Sequence, residues 1–174
     1  RQNDILVVMN PETAAEDIAA MPPGSVIVLN EQIKAPPIAE DRVVYRVPMP
    51  KLMESITTDV KLRRLVVNML YVGVLAEKLG LAEEEIARAL DAQLGRKPKA
   101  LALNHAAVKA GWEYSRSQLP KLDPFTLERM TANAGKILIE GNTAGALGAL
   151  MGGVTVVSWY PITPSTSLIE SLIG

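Results

Sequence analysis

The residue types most able to do chemistry cluster between Ser158 and Ser167. The chain there reads SWYPITPSTS, with five serine and threonine hydroxyls, one tyrosine, two prolines and no charge. Pro164 has the residue type favoured at the first position of a helix, which makes Thr163 the expected N-cap. Val154–Ser158, rich in β-branched residues, is the expected strand leading into it. On that reading the Thr163 hydroxyl and the free amides of Ser165 and Thr166 meet at the positive end of a helix dipole. Such a neutral set of donors suits a carboxylate. Pro161 and Pro164 stiffen the loop, so the donors are placed before a ligand arrives. Helix capping alone also explains Thr163, and the two readings stand side by side.

Elsewhere reactive types are sparse. Cysteine is absent, which excludes disulfides, thiolate catalysis and an iron–sulfur cluster ligated from within the chain. The single histidine, His105, argues against a conventional zinc site or a histidine-based triad. Between Asn104 and Ala106 it reads as solvent-facing or bonded to a partner side chain. Asn68, inside an apolar helical pattern, reads as a buried amide satisfied by backbone. Arg96, Lys97 and Lys99 read as a solvated basic turn, and Trp112 and Tyr114 as packing residues.

Several elements must carry these residues. With 174 residues the chain can bury one sizeable core or one domain and part of another, and a net charge of −1 gives no bias towards nucleic acid. Ile5–Met9, Val26–Leu29 and Arg42–Val47 are apolar runs of the kind buried on both faces of a parallel sheet. Between the first two, Asn10 is the expected N-cap and Pro11 the first residue of a short helix ending near Met21. Leu62, Leu65, Val66, Met69, Leu70, Gly73, Ala76 and Leu79 predict one long helix stopped by Gly80. A second opens at Glu83–Glu85, presents Ile86, Leu90 and Leu94, and closes at Gly95. A third runs from Pro98 to about Ser115. Leu119–Thr131, with Pro120 and Pro124, reads as part of an interdomain linker over 118–135.

Gly141 to Ile169 contains no Asp, Glu, Lys, Arg or His. A membrane span is nevertheless not expected, because Gly152-Gly153 ends the helix after about a dozen residues and a strand pattern follows. Gly141, Gly145, Gly148 and Gly152 share one helical face. It serves either close packing in a core or the approach of a cofactor or partner subunit. No signal peptide opens the chain, so a cytoplasmic location is expected. The first apolar run begins directly after Asp4 and the last helix has nothing after it to cover it. These ends predict a fragment of a longer polypeptide, cut inside domains.

The segment from Ile139-Glu140-Gly141-Asn142-Thr143-Ala144 through Gly152-Gly153 to Tyr160-Pro161-Ile162-Thr163-Pro164-Ser165 resembles the start of the alpha subunit of 2-oxoacid:ferredoxin oxidoreductases, over Lys136–Gly174. Residues 1–117 resemble the carboxyl-terminal portion of the gamma subunit of the same enzymes, through VPMPKLMESI, the helix with Asn68, Met69 and Gly73, and KALALNHAAVKAGWEY. Gamma followed by alpha is the arrangement of the fused alpha subunit in two-subunit enzymes, many of which act on 2-oxoglutarate. The resemblance implies an α/β fold in two parts: a gamma-type domain with a helical tail, then the first helix–strand–helix of a thiamine-diphosphate pyrimidine-binding domain.

It further implies thiamine-diphosphate-dependent oxidative decarboxylation of a 2-oxoacid to an acyl-coenzyme A and carbon dioxide, with electrons passed to ferredoxin. Thiamine diphosphate, Mg2+ and a [4Fe-4S] cluster are then held with a beta subunit in an alpha–beta oligomer, and coenzyme A is a cosubstrate. Thr163, Tyr160, Pro161, Ile162 and Ser165 become the expected substrate-binding residues, and the basic turn at 96–99 an alternative site for coenzyme A phosphates. The family's glutamate that contacts the aminopyrimidine of thiamine diphosphate and its arginine that helps hold the substrate carboxylate are expected beyond Gly174, so the piece alone is expected to be inactive. The rival reading is a non-catalytic α/β binding or subunit-assembly module.

Overall fold

Ile5–Val8 (β1), Val26–Asn30 (β2) and Val43–Val47 (β3) form a parallel sheet in the order β1-β2-β3. Ile5 lies opposite Val26, and Val28 opposite Tyr45. This is a computed structural model, and it describes residues 3–173. Arg1, Gln2 and Gly174, at the outer limits of the two expected domain segments, lie outside the described residues. The chain divides into two compact units, Arg1–Glu128 and Arg129–Gly174.

In the first unit β2 is central, and its four apolar residues are buried completely. Alternation along the strands splits them between two layers. Val26, Val28, Tyr45 and Val47 face Met49, Met53, Val66, Leu70, Tyr71, Val74 and Ala107. Ile27 and Leu29 instead join Val8, Ala14, Ile18 and Ile33 on the opposite face. The first layer is built by Met49–Ile56 (α2), Val60–Val66 (α3), Asn68–Lys78 (α4) and Pro98–Gln118 (α6); the second by Ala14–Ala19 (α1). Glu83–Leu94 (α5) packs on α6.

Helices α4 and α6 meet backbone to backbone. A Cβ on Gly73 would press on the Val108 carbonyl oxygen, and one on Gly111 on that of Leu70. Each glycine sits where the other helix crosses, so absence of a side chain sets the interhelical distance. Gly80, at φ 72°, ends α4 in the left-handed region, as its position in the sequence predicts.

Several local expectations change. Helix α1 begins after Thr13, not Asn10: the Asn10 Oδ1 accepts from the Glu12 amide at 3.0 Å and closes a turn instead. The long helix expected across 62–79 is broken at Val67 into α3 and α4, with Asp59 capping α3 through the amides of Lys61 and Leu62. Leu65 therefore leaves the apolar stripe and is 74% exposed. Asn68, at the first position of α4, is exposed rather than buried. Helix α2, carried by MPKLMESI, has no counterpart among the expected elements.

The segment after α6 is also not free. Lys78 is 5% exposed, and its Nζ donates to Glu77 at 2.8 Å and to the carbonyls of Ser115 and Leu119. Tyr45 donates to Asp123 at 2.6 Å and accepts from the Leu122 amide at 2.9 Å. Lys121 bonds Asp123, the Lys78 carbonyl and the Phe125 carbonyl. The Leu127 amide reaches the Leu79 carbonyl at 2.8 Å. Residues 119–128, read from sequence as linker, are thus a strap fastened to the first unit.

Candidate functional site

The second unit holds two described helices, Gly141–Met151 (α7) and Ser165–Ile173 (α8), which pack through Ala146 and Ile169. Gly145 admits Leu168 Cδ1 to 3.5 Å of where its own Cβ would stand, whereas Gly141 and Gly148 face open space. The glycine face is therefore only partly a packing face within this chain. No described helix is long and apolar enough to cross a membrane.

Between α7 and α8 runs an exposed loop. Val154–Ser158 is not a strand here: among the described residues the only strand ladder is β1-β2-β3, and a β-branched run without a neighbouring strand has no ladder to join. The expected helix–strand–helix is a helix–loop–helix in this chain. Gly153, at φ 83°, turns the chain out of α7, and the Val154 amide returns to the Ala149 carbonyl at 3.1 Å.

At the far end the geometry also departs from a simple N-cap. Ile162 to Ser165 form a turn in which the Ser165 amide donates to the Ile162 carbonyl at 2.8 Å, with a cis peptide between Thr163 and Pro164. The Thr166 amide reaches the same carbonyl at 3.3 Å. Both amides expected to be free for an anion are therefore used within the turn. The Ser165 hydroxyl donates to the Ile162 carbonyl at 2.6 Å, with the Tyr160 carbonyl at 3.3 Å, and so braces the loop. The Thr163 hydroxyl is exposed and makes no hydrogen bond among the described residues. Tyr160 and Ile162, 75% and 59% exposed, stand on either side of Pro161 and flank it with apolar surface.

The structure ties this loop to the other half of the sequence motif. Asn142 donates through Nδ2 to the Pro164 carbonyl at 2.8 Å and to Ser167 Oγ at 2.7 Å. Further along, Thr143 and Ser171 pair through their hydroxyls at 3.2 Å. In the sequence Asn142 stands inside the Gly-Asn-Thr-Ala opening with no role of its own. An amide next to a helix start was the available signal, but its partners lie more than twenty residues away.

The remaining candidates stay apart from the loop in sequence and lie in the first unit. His105 pairs with Asp91 at 3.2 Å on the exposed faces of α6 and α5, a partner-bonded histidine. Arg96 and Lys97 line an open groove that also carries Asp91. Trp112 and Tyr114 are half-buried on α6, and Tyr114 packs against the core. Among the described residues no group of three His, Cys, Asp or Glu side chains is placed to hold a metal ion.

The comparisons with known proteins agree on one kind of enzyme. Residues 1–114 match the family described as pyruvate ferredoxin/flavodoxin oxidoreductase. The chain is 27% identical to the 2-oxoglutarate oxidoreductase subunit KorA of Mycobacterium tuberculosis, over 97% of this chain and 30% of that protein. It is 28% identical to the alpha subunit of 2-oxoacid:ferredoxin oxidoreductase 2 of Aeropyrum pernix, over 57% of this chain and 15% of that one. Its fold superposes with a TM-score of 0.84 and 26% identity on 2-oxoglutarate:ferredoxin oxidoreductase from Magnetococcus marinus, a structure with 2-oxoglutarate, coenzyme A and succinyl-CoA bound. That match covers 99% of this chain and 30% of the other, so the chain spans under a third of the length of these relatives.

Proposed function

Because the chain belongs to the pyruvate ferredoxin/flavodoxin oxidoreductase family, we propose that it is the segment of a 2-oxoacid:ferredoxin oxidoreductase subunit that carries the substrate loop. The reaction is oxidative decarboxylation of a 2-oxoacid, with 2-oxoglutarate favoured, to an acyl-coenzyme A and carbon dioxide. Electrons pass through a beta subunit to ferredoxin, in the cytoplasm. The observation that carries the reading is Thr163: an unspent hydroxyl at the tip of a braced, charge-free loop.

The role proposed for this chain's residues is binding and orientation. Thr163 donates to the carboxylate or keto oxygen of the 2-oxoacid. Tyr160, Pro161 and Ile162 form the wall beside it, and Ser165 holds the turn in shape. Charge at the substrate makes such a hydrogen bond worth about 1.5–3 kcal/mol. Thiamine diphosphate supplies the carbanion chemistry in this class of reaction. Among the described residues no three His, Cys, Asp or Glu side chains gather at one point, and the chain has no cysteine for a cluster. Those groups are assigned to the beta subunit.

The test is Thr163→Val in the complete enzyme. It is expected to lower kcat/KM for the 2-oxoacid by about 10-fold or more, with Thr163→Ser retaining most activity. Full activity of a folded Thr163→Val enzyme would reduce the loop to a turn at a helix start.

A further inference from the structure

We propose that Asn142 is the positioning residue of the substrate loop: from the first turn of α7 its amide fixes the Pro164 carbonyl, and through it the Thr163 hydroxyl. The inference rests on the reading of Thr163 as the substrate donor.

Within this chain the loop has little else to hold it in place. Val156, Val157, Trp159, Tyr160 and Ile162 are all more than 40% exposed here, so side-chain packing among the described residues does not fix its position. Its internal bonds, from Ser165 to the Ile162 and Tyr160 carbonyls, give it shape but no attachment to α7. Pro161 and Pro164 restrict φ and likewise attach nothing. Among the described residues, Asn142 is the one side chain from outside the loop and α8 that bonds the loop's backbone.

The bond is chemically selective. Asn142 Nδ2 carries two hydrogens, and the two acceptors at 2.8 and 2.7 Å, the Pro164 carbonyl and Ser167 Oγ, use both. Ser167 Oγ in turn donates to the same Pro164 carbonyl at 3.2 Å, which closes a three-membered ring of bonds. An aspartate would set a carboxylate oxygen against that carbonyl, acceptor to acceptor. A serine is too short to reach. Pro164 is the residue next to Thr163, so the anchored atom and the substrate donor move as one piece. The pair Thr143–Ser171 joins the same two helices but ends on the body of α8, away from the loop. It provides a built-in control.

The experiment uses the complete enzyme with its partner subunits and compares Asn142→Ala, Asn142→Asp, Thr143→Ala and Thr163→Val. Readouts are kcat and KM for 2-oxoglutarate, KM for coenzyme A, and hydrogen exchange of the peptide covering 154–165. Asn142→Ala is expected to raise the 2-oxoglutarate KM about 10-fold, because small misplacements of a positioned group have effects of that order. The coenzyme A KM should stay put, and exchange of the loop peptide should quicken. Asn142→Asp, nearly isosteric and so the safer variant for folding, should behave like the alanine. Thr143→Ala should leave the 2-oxoglutarate KM unchanged.

Parent-like KM and loop exchange in either Asn142 variant would overturn the inference, as would an equal KM shift in Thr143→Ala, which would mean that only the helix pair had loosened. An unaltered kcat/KM in Thr163→Val would overturn the substrate reading, and this inference with it. A lowered kcat/KM there, beside parent-like Asn142 variants, would overturn this inference alone.

Discussion

Asp123 and Glu77 are carboxylates without a sequence pattern to mark them, and both are held below the usual range. Burial pushes Asp123 up, but the hydrogen bonds from Lys121, Tyr45 and the Phe125 amide, with the Lys121 charge, outweigh it. For Glu77 burial likewise opposes ionisation and is outweighed by Lys78, Ser115 and Arg116. In Tyr45, burial and the bond to Asp123 push the hydroxyl above its ordinary value. The folded chain thus binds fewer protons at the two carboxyls than the unfolded chain does. Their contribution to stability is complete above the ordinary carboxylate range and is lost as pH falls through it towards the depressed values. Asp123→Asn should therefore lower the stability of the chain at neutral pH by about 1–3 kcal/mol, the scale of a buried hydroxyl left without its acceptor. The gap in melting temperature between the Asp123→Asn variant and the parent should narrow as pH falls below about 4. A gap that stays constant with pH would remove the charge from the account. None of this was legible beforehand, because Tyr45 and Asp123 are 78 residues apart and neither has a local pattern. The turn around Thr163 was legible, since proline spacing marks it; the loss of the two amides to Ile162 was not, because it depends on how that turn closes.

At the level of elements, two identical substitutions should have opposite signs. Gly111→Ala puts a methyl group against the backbone of Leu70, which cannot step aside as a side chain can. Overpacking of about 1–3 kcal/mol exceeds the helix propensity gained, so the melting temperature should fall. Gly148→Ala adds the same methyl to α7 where nothing lies within 4 Å. There only the propensity term acts, and stability should rise by about 0.5–1 kcal/mol. Thermal melts of both variants of the 174-residue chain decide it; a stabilised Gly111→Ala would mean that α4 and α6 do not cross as closely as described. The parallel sheet was readable in sequence because β2 is buried on both faces and its run Val26–Leu29 shows no alternation to obscure it. Helix α2 was hidden by Pro48 and Pro50, which look like loop residues yet sit where a helix start tolerates them. The Val154–Ser158 strand failed for the converse reason. Its residues have strand propensity, but propensity describes a fit to a neighbour, and this chain supplies none.

For the molecule as a whole, the boundary between the units falls after Glu128, ten residues past the end of α6. Residues 131–138 are continuously exposed, whereas the strap at 119–128 is bonded along its length. Brief trypsin treatment of the chain should cut first after Lys136, and Lys121, whose amine is engaged by three acceptors, should resist. Early cleavage after Lys121, read by mass spectrometry, would show that the strap is loose. The strap has a consequence for synthesis on the ribosome, where the chain emerges from its amino end. Lys78 leaves the ribosome about forty residues before Leu119, the carbonyl that helps to bury its amine. Tyr45 waits longer still for Asp123. Until those residues emerge, the nascent first unit carries at the end of α4 an ammonium paired with Glu77 but lacking its two carbonyl acceptors, and a phenol without its acceptor. The sheet and its inner helices can gather early, but closure of this unit is vectorial and comes last, when the strap arrives.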